Sequence, residues 1–292
     1  MSLLSRIEYQ SGFSELEKKI ADYLIEHKED VIHMNLKELA KATYTSTATI
    51  SRFCKKVGEK NFNDFRVHFA EVTQSQSFAT VNFNRPFLPD SSVGEIQYNI
   101  SDIYKQTIDG TNLVLDLNEL NRAVDCIDQT NIIDIFGFGD SYLTAQLFEH
   151  KMTYVNKYVN LKAIPTEQNQ QALYTNKDTV AIVISYSGET NELIKIAKIL
   201  KEKKTPIIVL TSIGDNRLSH YANYILNIGS REKIFTKIAP FASQTSIEYI
   251  LNVIFSCLFK KDYQTNIQNK ISYDKENDVR HPLHSPVNDI IE

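Results

Sequence analysis

Two apolar runs that each stop at a glycine and a cluster of hydroxyls do most to limit what this chain can fold into: IIDIFGFGDS (132–141) and VAIVISYSGET (180–190). The runs are nearly apolar throughout, so both faces of the strands they predict must be covered. Further short runs, LKAI (161–164), PIIVLT (206–211) and YILNI (224–228), are spaced among helical patterns at about 141–156, up to Leu200, and at 244–259. Strand then helix, repeated, predicts a parallel sheet flanked by helices, an α/β/α sandwich. Helical patterns in EIQYNISDIYKQTIDG and NELNRAVDCIDQ precede it, and PTEQNQQALYTNKD (165–178) reads as a loop.

The first 72 residues carry a different rhythm and read as helical throughout. In FSELEKKIADYLIEHKEDVIHM, Ser14 and Glu17 have capping-box spacing, and Leu16, Ile20, Tyr23, Leu24 and Ile25 make an apolar stripe. A short helix NLKELAKAT turns Leu36, Leu39 and Ala40 inward. A third begins after Thr45 or Ser46, buries Ile50, Phe53, Cys54 and Val57, and ends at Gly58 in a left-handed conformation. Two short helices joined by a tight turn form a helix-turn-helix, an all-α domain. Tyr44 stands where such turns often have glycine, so its backbone is expected in a region that a bulky residue tolerates.

Charge is uneven along this segment. Residues 1–30 carry four basic and seven acidic residues, whereas 31–70 carry seven basic and three acidic ones. The whole chain has a formal charge of −4, so the basic excess at the helix-turn-helix is local. Thr45, Ser46, Thr47, Thr49 and Ser51 are small enough for close approach to a major groove, and Arg52, Lys55 and Lys56 can meet phosphates or a guanine edge of double-stranded DNA. A helix with a solvated basic face looks the same in sequence.

A chain of 292 residues suits two domains. The expected division is a helix-turn-helix domain at 1–76, a linker at 77–94, the α/β domain with its preceding helices at 95–260, and a polar tail without periodicity at 261–292. Cys54, Cys126 and Cys257 are odd in number and widely spaced, as expected of reduced thiols. Without a secretory h-region or a run long enough to span a bilayer, the chain reads as cytoplasmic with no membrane partner. His281 and His284 lie beside prolines in the tail, and no metal is assigned to them.

The two hydroxyl-rich turns admit several chemistries. A dinucleotide fingerprint needs a third glycine where this chain has Tyr142, and no G-K-[ST] follows for a Walker A loop. A nucleophile elbow needs G-x-S-x-G, but Ser187 stands in S-Y-S-G-E-T. Ser187 or Thr190 could simply cap a helix. Alternatively, two helix N-termini at the carboxyl ends of strands, with Ser141, Ser185, Ser187, Gly188 and Thr190 around them, would bind one anion such as a phosphate.

Residues 11–70, with EKKIADY at 17–23, VIHM ending at Met34 and ATISRFCKKVG at 48–58, resemble the N-terminal domain of RpiR-type bacterial transcriptional regulators. Roughly residues 107–260, with S-x-S-G-x-T at 185–190 and G-x-G-x-S at 137–141, resemble the sugar isomerase (SIS) domain, in the RpiR order. The resemblance implies that Ser141, Ser185, Ser187 and Thr190 hold the phosphate of a phosphosugar, with Gly139 and Gly188 allowing close backbone approach. It further implies a phosphosugar-sensing regulator of carbohydrate metabolism, without cofactor, acting as a homodimer or homotetramer on a DNA operator. An isomerase of the same fold is the alternative. Enzymes of this fold often have a histidine-rich loop before the S-x-S-G strand, which is absent from 165–178, so no catalytic residue is assigned. Glu149, His150, Glu167 and Glu248 are the conceivable acid–base groups. In the late helix the family often has S-R and Asp where this chain has Ser243-Gln244 and Asn252.

Overall fold

The computed structural model describes residues 3–10, 12–75 and 81–277. The N-terminal domain is built from α1 (Leu3–Tyr9), α2 (Glu15–Glu26), α3 (Lys28–Val31), α4 (Leu36–Ala42), α5 (Thr47–Lys56) and α6 (Phe62–Ser75). Ser14 and Glu17 do form a reciprocal capping box at the start of α2, and Asn35 and Glu38 form another at α4. The helical stretch FSELEKKIADYLIEHKEDVIHM is interrupted at His27, between α2 and α3. Ile20, Leu24, Leu39, Ile50, Phe53 and Phe65 share one buried core. Burial of each such side chain stabilises by about 1.5–3 kcal/mol.

Both α4 and α5 end in a Schellman arrangement. Gly58 (φ 99°) closes α5, its amide donating to Lys55 O and that of Glu59 to Cys54 O. At α4 the corresponding residue is Tyr44, with its amide on Lys41 O and that of Thr45 on Ala40 O. Tyr44 has φ 52°, so the expectation of an ordinary backbone is corrected: the turn keeps the left-handed geometry, and tyrosine adopts it. Its ring is 95% exposed, so packing does not compensate for that strain.

The α/β domain contains α7 (Val93–Val114), α8 (Leu117–Asp128), β1 (Ile132–Phe136), α9 (Asp140–Met152), β2 (Tyr158–Leu161), α10 (Pro165–Tyr174), β3 (Val180–Ile184), α11 (Asn191–Glu202), β4 (Ile207–Ser212), β5 (Tyr224–Ile228), α12 (Phe241–Lys261) and α13 (Tyr263–Asn277). The sheet order is β2-β1-β3-β4-β5, with every pair parallel. Val180, Ile182 and Ile184 face a core shared with α8, α9 and α12. Ala181 and Val183 face the other, shared with α10 and α11. The sheet is thus covered on both sides, as a run without polar alternation requires.

Three elements differ from expectation. The edge strand is Tyr158–Leu161, not 161–164, because Ile132 to Ile135 of β1 pair with Tyr158 to Leu161. Residues 165–174 are a helix, not a loop, beginning with Pro165 in its first turn. Its buried face carries Gln168 and Gln171 with Ala172, so it shows little apolar period. The expected featureless tail continues as α13, held where buried Asn266 donates to Phe259 O (3.0 Å) and Tyr263 meets the Phe259 ring edge-on.

The linker region is docked over its described part, with residues 77–80 outside it. Val81 and Phe83 are buried against Ile103 and Ala242, and Asn84 accepts from the amides of Lys233 (2.6 Å) and Ile238 (2.9 Å).

Candidate functional site

The order of the strands brings the two hydroxyl-rich turns together. β1 and β3 are neighbours in the sheet, yet the helices that follow them, α9 and α11, cover opposite faces. Between such helices the carboxyl ends of the strands open into a crevice. Gly139 and Thr190 occupy the N-cap positions of α9 and α11, and neither helix has a side-chain cap. Side chains cap α2, α4, α5, α7 and α8, whereas α3, α10 and α12 also begin without such a cap. The plain helix-cap reading therefore does not describe Thr190: its hydroxyl lies 3.2 Å from that of Ser185.

Local backbone geometry sets this shape. The Gly188 amide donates to Ser185 O (3.1 Å), and the Glu189 amide donates to Ser187 Oγ (3.2 Å). Gly188 has φ 66°, and a Cβ there would lie 2.1 Å from Asn216 Oδ1. Gly139 has φ 56° and ψ −127°, in a region that only glycine enters readily. On the first turn, buried Gln168 clamps Gly137, accepting from its amide (3.2 Å) and donating to its carbonyl (2.8 Å).

Ser141, Ser185, Ser187 and Thr190 line one cavity of about 200 Å³, with Phe138 on an apolar wall and Lys237 at its edge. Gly139 and Gly188 shape the turns beside it. Lys237, on the segment between β5 and α12, pairs with the buried carboxylate of Glu232 (3.0 Å) and lies over the Tyr186 ring (4.9 Å). Hydroxyl donors, two uncapped helix N-termini and an ammonium group are the kinds of partner that an anion with several oxygens requires. Lys237 belongs to no motif and no periodic element, so the sequence does not signal it; only the fold brings it here.

The conceivable acid–base residues lie elsewhere. Glu149 and His150 stand near the end of α9, about 13 Å along the helix from the cavity. Burial pushes the Glu149 carboxyl up, opposed by the charge of Lys162. Glu167 lines a separate cleft beside Asp134, and Glu248 is on α12. Ser243 donates to Glu232 (2.6 Å), and Asn252 accepts from Lys151. Among the described residues no His/Cys/Asp/Glu cluster could hold a metal, and no helix is long and apolar enough to cross a membrane. His281 and His284 lie outside the described residues.

The outer face of α5 divides into structural and open residues. Ser46 caps the helix, accepting from the Thr49 amide (3.1 Å), and its hydroxyl pairs with that of Thr49 (2.9 Å). Thr45 pairs with Thr43 inside the turn (2.9 Å). Thr47, Arg52 and Lys55 are exposed, and Ser51 is half-buried. Lys56 turns back onto the domain, donating to Glu17 (2.7 Å) and to Gly12 O (2.6 Å). Ser51 and Lys55 border a groove that Lys60 and Arg66 also line. Those two cations were visible in the charge count but fall outside α5.

The rpiR-family helix-turn-helix domain matches residues 1–76, and the SIS domain matches 127–253. An HTH-type transcriptional regulator of Caldanaerobacter subterraneus is 30% identical over 256 residues, 88% of this chain and 89% of its own length. This chain belongs to the RpiR family of helix-turn-helix transcriptional regulators. Another relative, the regulator HexR of Escherichia coli, is 29% identical over 73% of either chain. The fold of both domains together is similar to that of NanR of Vibrio vulnificus, solved in complex with ManNAc-6P, which superposes with a TM-score of 0.60 at 24% identity, covering 96% of this chain and all of that one. The sugar isomerase domain of an RpiR transcription factor from Sphaerobacter thermophilus gives 0.54 at 11% identity, covering 61% of this chain and 98% of that domain.

Proposed function

We propose that this RpiR-family regulator binds an operator through α5 and takes the phosphate of a phosphosugar into the cavity between the β1 and β3 turns. The observation that carries the reading is the meeting of four hydroxyls, two uncapped helix N-termini and Lys237 around one small cavity. A phosphate there accepts from neutral donors and the ammonium together, and the helix dipoles favour its charge. The ManNAc-6P complex of NanR, a protein of the same fold, supports a phosphosugar as the ligand class.

Sensing is favoured over turnover. Aldose–ketose isomerisation needs a base at the carbonyl and an acid for ring opening. The described cavity is lined by hydroxyls, apolar side chains and Lys237, while the carboxylates and histidine considered above lie away from it. A homodimer supplies two recognition helices for two half-sites, and Leu143 and Leu147, four residues apart on α9 and each 54% exposed, offer an apolar stripe for self-association.

Fluorescence anisotropy with promoter fragments at several salt concentrations tests the DNA half of the reading, and a thermal-shift screen of phosphosugars tests the other. A ligand that binds only the folded state raises the melting temperature. Ser187→Ala should abolish that rise in a protein that remains folded. Retained shift in this variant places the ligand elsewhere, and interconversion of hexose phosphates by the purified protein replaces sensing with catalysis.

A further inference from the structure

The segment between β5 and α12, residues 229–240, touches the cavity at one end and the helix-turn-helix domain at the other. Its Lys237 lines the cavity, and its Glu232 holds that lysine. Tyr186, which stands between the cradle serines Ser185 and Ser187, donates its hydroxyl to Glu232 O (2.6 Å). The preceding residue, Arg231, pairs with Glu8 of α1 at 2.7 Å. Glu8 is also 3.8 Å from Lys28, and its side chain is only 9% exposed. Arg231 is further fixed by Gln106 and by the Phe83 ring beneath it (4.4 Å). An interdomain cleft of about 580 Å³ is lined by Glu8 and Lys28 on one side and by Tyr186 and Arg231 on the other. Tyr186 therefore belongs to the walls of both the cleft and the cradle.

We propose that the Arg231–Glu8 ion pair is a latch between the two domains, released when an anion occupies the cradle. The proposal rests on the cradle being a phosphate site. A phosphate dianion beside Ser185, Ser187 and Thr190 competes with Glu232 for the Lys237 ammonium. Glu232 is fully buried, with its carboxylate shared by Lys237, Ser243 Oγ and the Ala242 amide. A buried carboxylate that loses its cation is strongly disfavoured, so the Glu232 backbone shifts with Lys237 rather than staying behind. Tyr186 and Arg231 are tied to that backbone by a hydrogen bond and a peptide bond, and Arg231 is drawn off Glu8. Through this pair the cradle biases how α1, and with it the recognition helix, is held: Arg6 of α1 donates to Val57 O at the end of α5 (3.0 Å). A ligand shifts such an equilibrium only by binding one state better, and the competition for Lys237 supplies that difference.

Amide hydrogen exchange of the full chain tests this, with inorganic phosphate as the probe and chloride at equal ionic strength as the control. In the wild type, phosphate should raise the melting temperature and speed exchange in α1 by at least about threefold to fivefold, the worth of an exposed ion pair and so a lower bound for this mostly buried one. Glu8→Gln and Arg231→Met each remove one charge of the latch. Both should show the faster α1 exchange without phosphate, no further acceleration with it, and a phosphate-induced rise in melting temperature larger than in the wild type, because phosphate no longer has to open the pair. If the wild-type melting temperature rises while α1 exchange stays the same, or if either variant retains the full response, the latch is overturned and the cradle stands. If phosphate gives no rise in melting temperature, the phosphate site itself is overturned, and the latch with it.

Discussion

The hydroxyls of Ser185 and Thr190 lie 3.2 Å apart across the turn that follows β3, and Thr190 contributes no side-chain cap to the helix it begins. Its hydroxyl is thus available to a ligand at little cost to α11. Thr190→Val should lower stability by about 1 kcal/mol, the loss of one hydrogen bond, and should abolish the phosphate-induced rise in melting temperature. A differential scanning measurement with and without inorganic phosphate reads both. A lost shift with a folded baseline supports a ligand role; a retained shift removes Thr190 from the site.

Gly188 and Gly139 both have positive φ, but only Gly188 is crowded. A Cβ at Gly188 would meet Asn216 Oδ1, Cγ and Cβ within 2.8 Å, whereas nothing lies within 4 Å at Gly139. Asn216 cannot give way freely, because its Oδ1 accepts from the Ser219 amide (3.0 Å) and its carbonyl accepts from Ser219 Oγ (2.6 Å). Gly188→Ala should therefore cost about 2–4 kcal/mol, and Gly139→Ala only the backbone strain of about 1–2 kcal/mol. Urea unfolding at equilibrium distinguishes the two; equal costs would mean that the Asn216 contact relaxes.

What was legible in the sequence follows from what each element buries. β1, β3, β4 and α12 bury apolar side chains and were read from them, as were the capping box at Ser14 and the left-handed end at Gly58. α10 buries Gln168 and Gln171, so it carries little apolar period, and Pro165 is the one local mark of its start. β2 is an edge strand with Tyr158 65% exposed, and it offers no continuous apolar run. At the cradle, the turn residues carry a local pattern. Lys237 reaches it from about 50 residues away in sequence through an irregular segment, and tertiary placement of that kind leaves no spacing to read. The reverse holds at α5, where Lys56 shares the basic character of Arg52 and Lys55 but is committed to Glu17 and Gly12.

Tyr44 offers a test of strain in the helix-turn-helix. It has φ 52° and an almost fully exposed ring, so the left-handed backbone is not repaid by packing. Tyr44→Gly should stabilise the protein by about 0.5–1 kcal/mol, glycine's larger unfolded-state entropy offsetting part of the relief. Chemical denaturation followed by far-ultraviolet circular dichroism gives the value. Destabilisation would show that the ring makes contacts that outweigh the strain.

Asp134 ties pH to stability. Burial on β1 pushes its carboxyl up, opposed by hydrogen bonds from Gln171 and Asn160 (2.9 and 2.8 Å). A carboxyl raised in the folded state binds its proton more tightly there than in the unfolded chain, so its contribution to stability falls as pH rises from the ordinary aspartate value through the folded one. Asp134→Asn removes that term. The stability difference between variant and wild type should then move in favour of the variant as pH rises from about 4 to 7. Urea midpoints across the range measure it, and a difference independent of pH would mean that the carboxyl titrates alike in both states.

Arg52, Lys55 and Lys56 lie within one helical turn and a half of each other, and the structure gives them different surroundings. Arg52 and Lys55 are exposed on α5, whereas Lys56 is engaged by Glu17 and Gly12 O. If the exposed pair meets phosphates, Arg52→Ala and Lys55→Ala should each weaken operator binding and reduce the slope of log affinity against log salt by about one. Lys56→Ala should leave that slope unchanged and lower stability by about 0.5–1 kcal/mol, modest because its ion pair is partly exposed. Arg52 is distinguished from Lys55 by sequence dependence: a guanidinium bidentate to guanine would relax specificity at one base pair, whereas a phosphate contact weakens every site alike. Anisotropy titrations at several salt concentrations, against an operator and a scrambled fragment, decide each point. A reduced slope for Lys56→Ala would show that Lys56 leaves Glu17 to engage DNA.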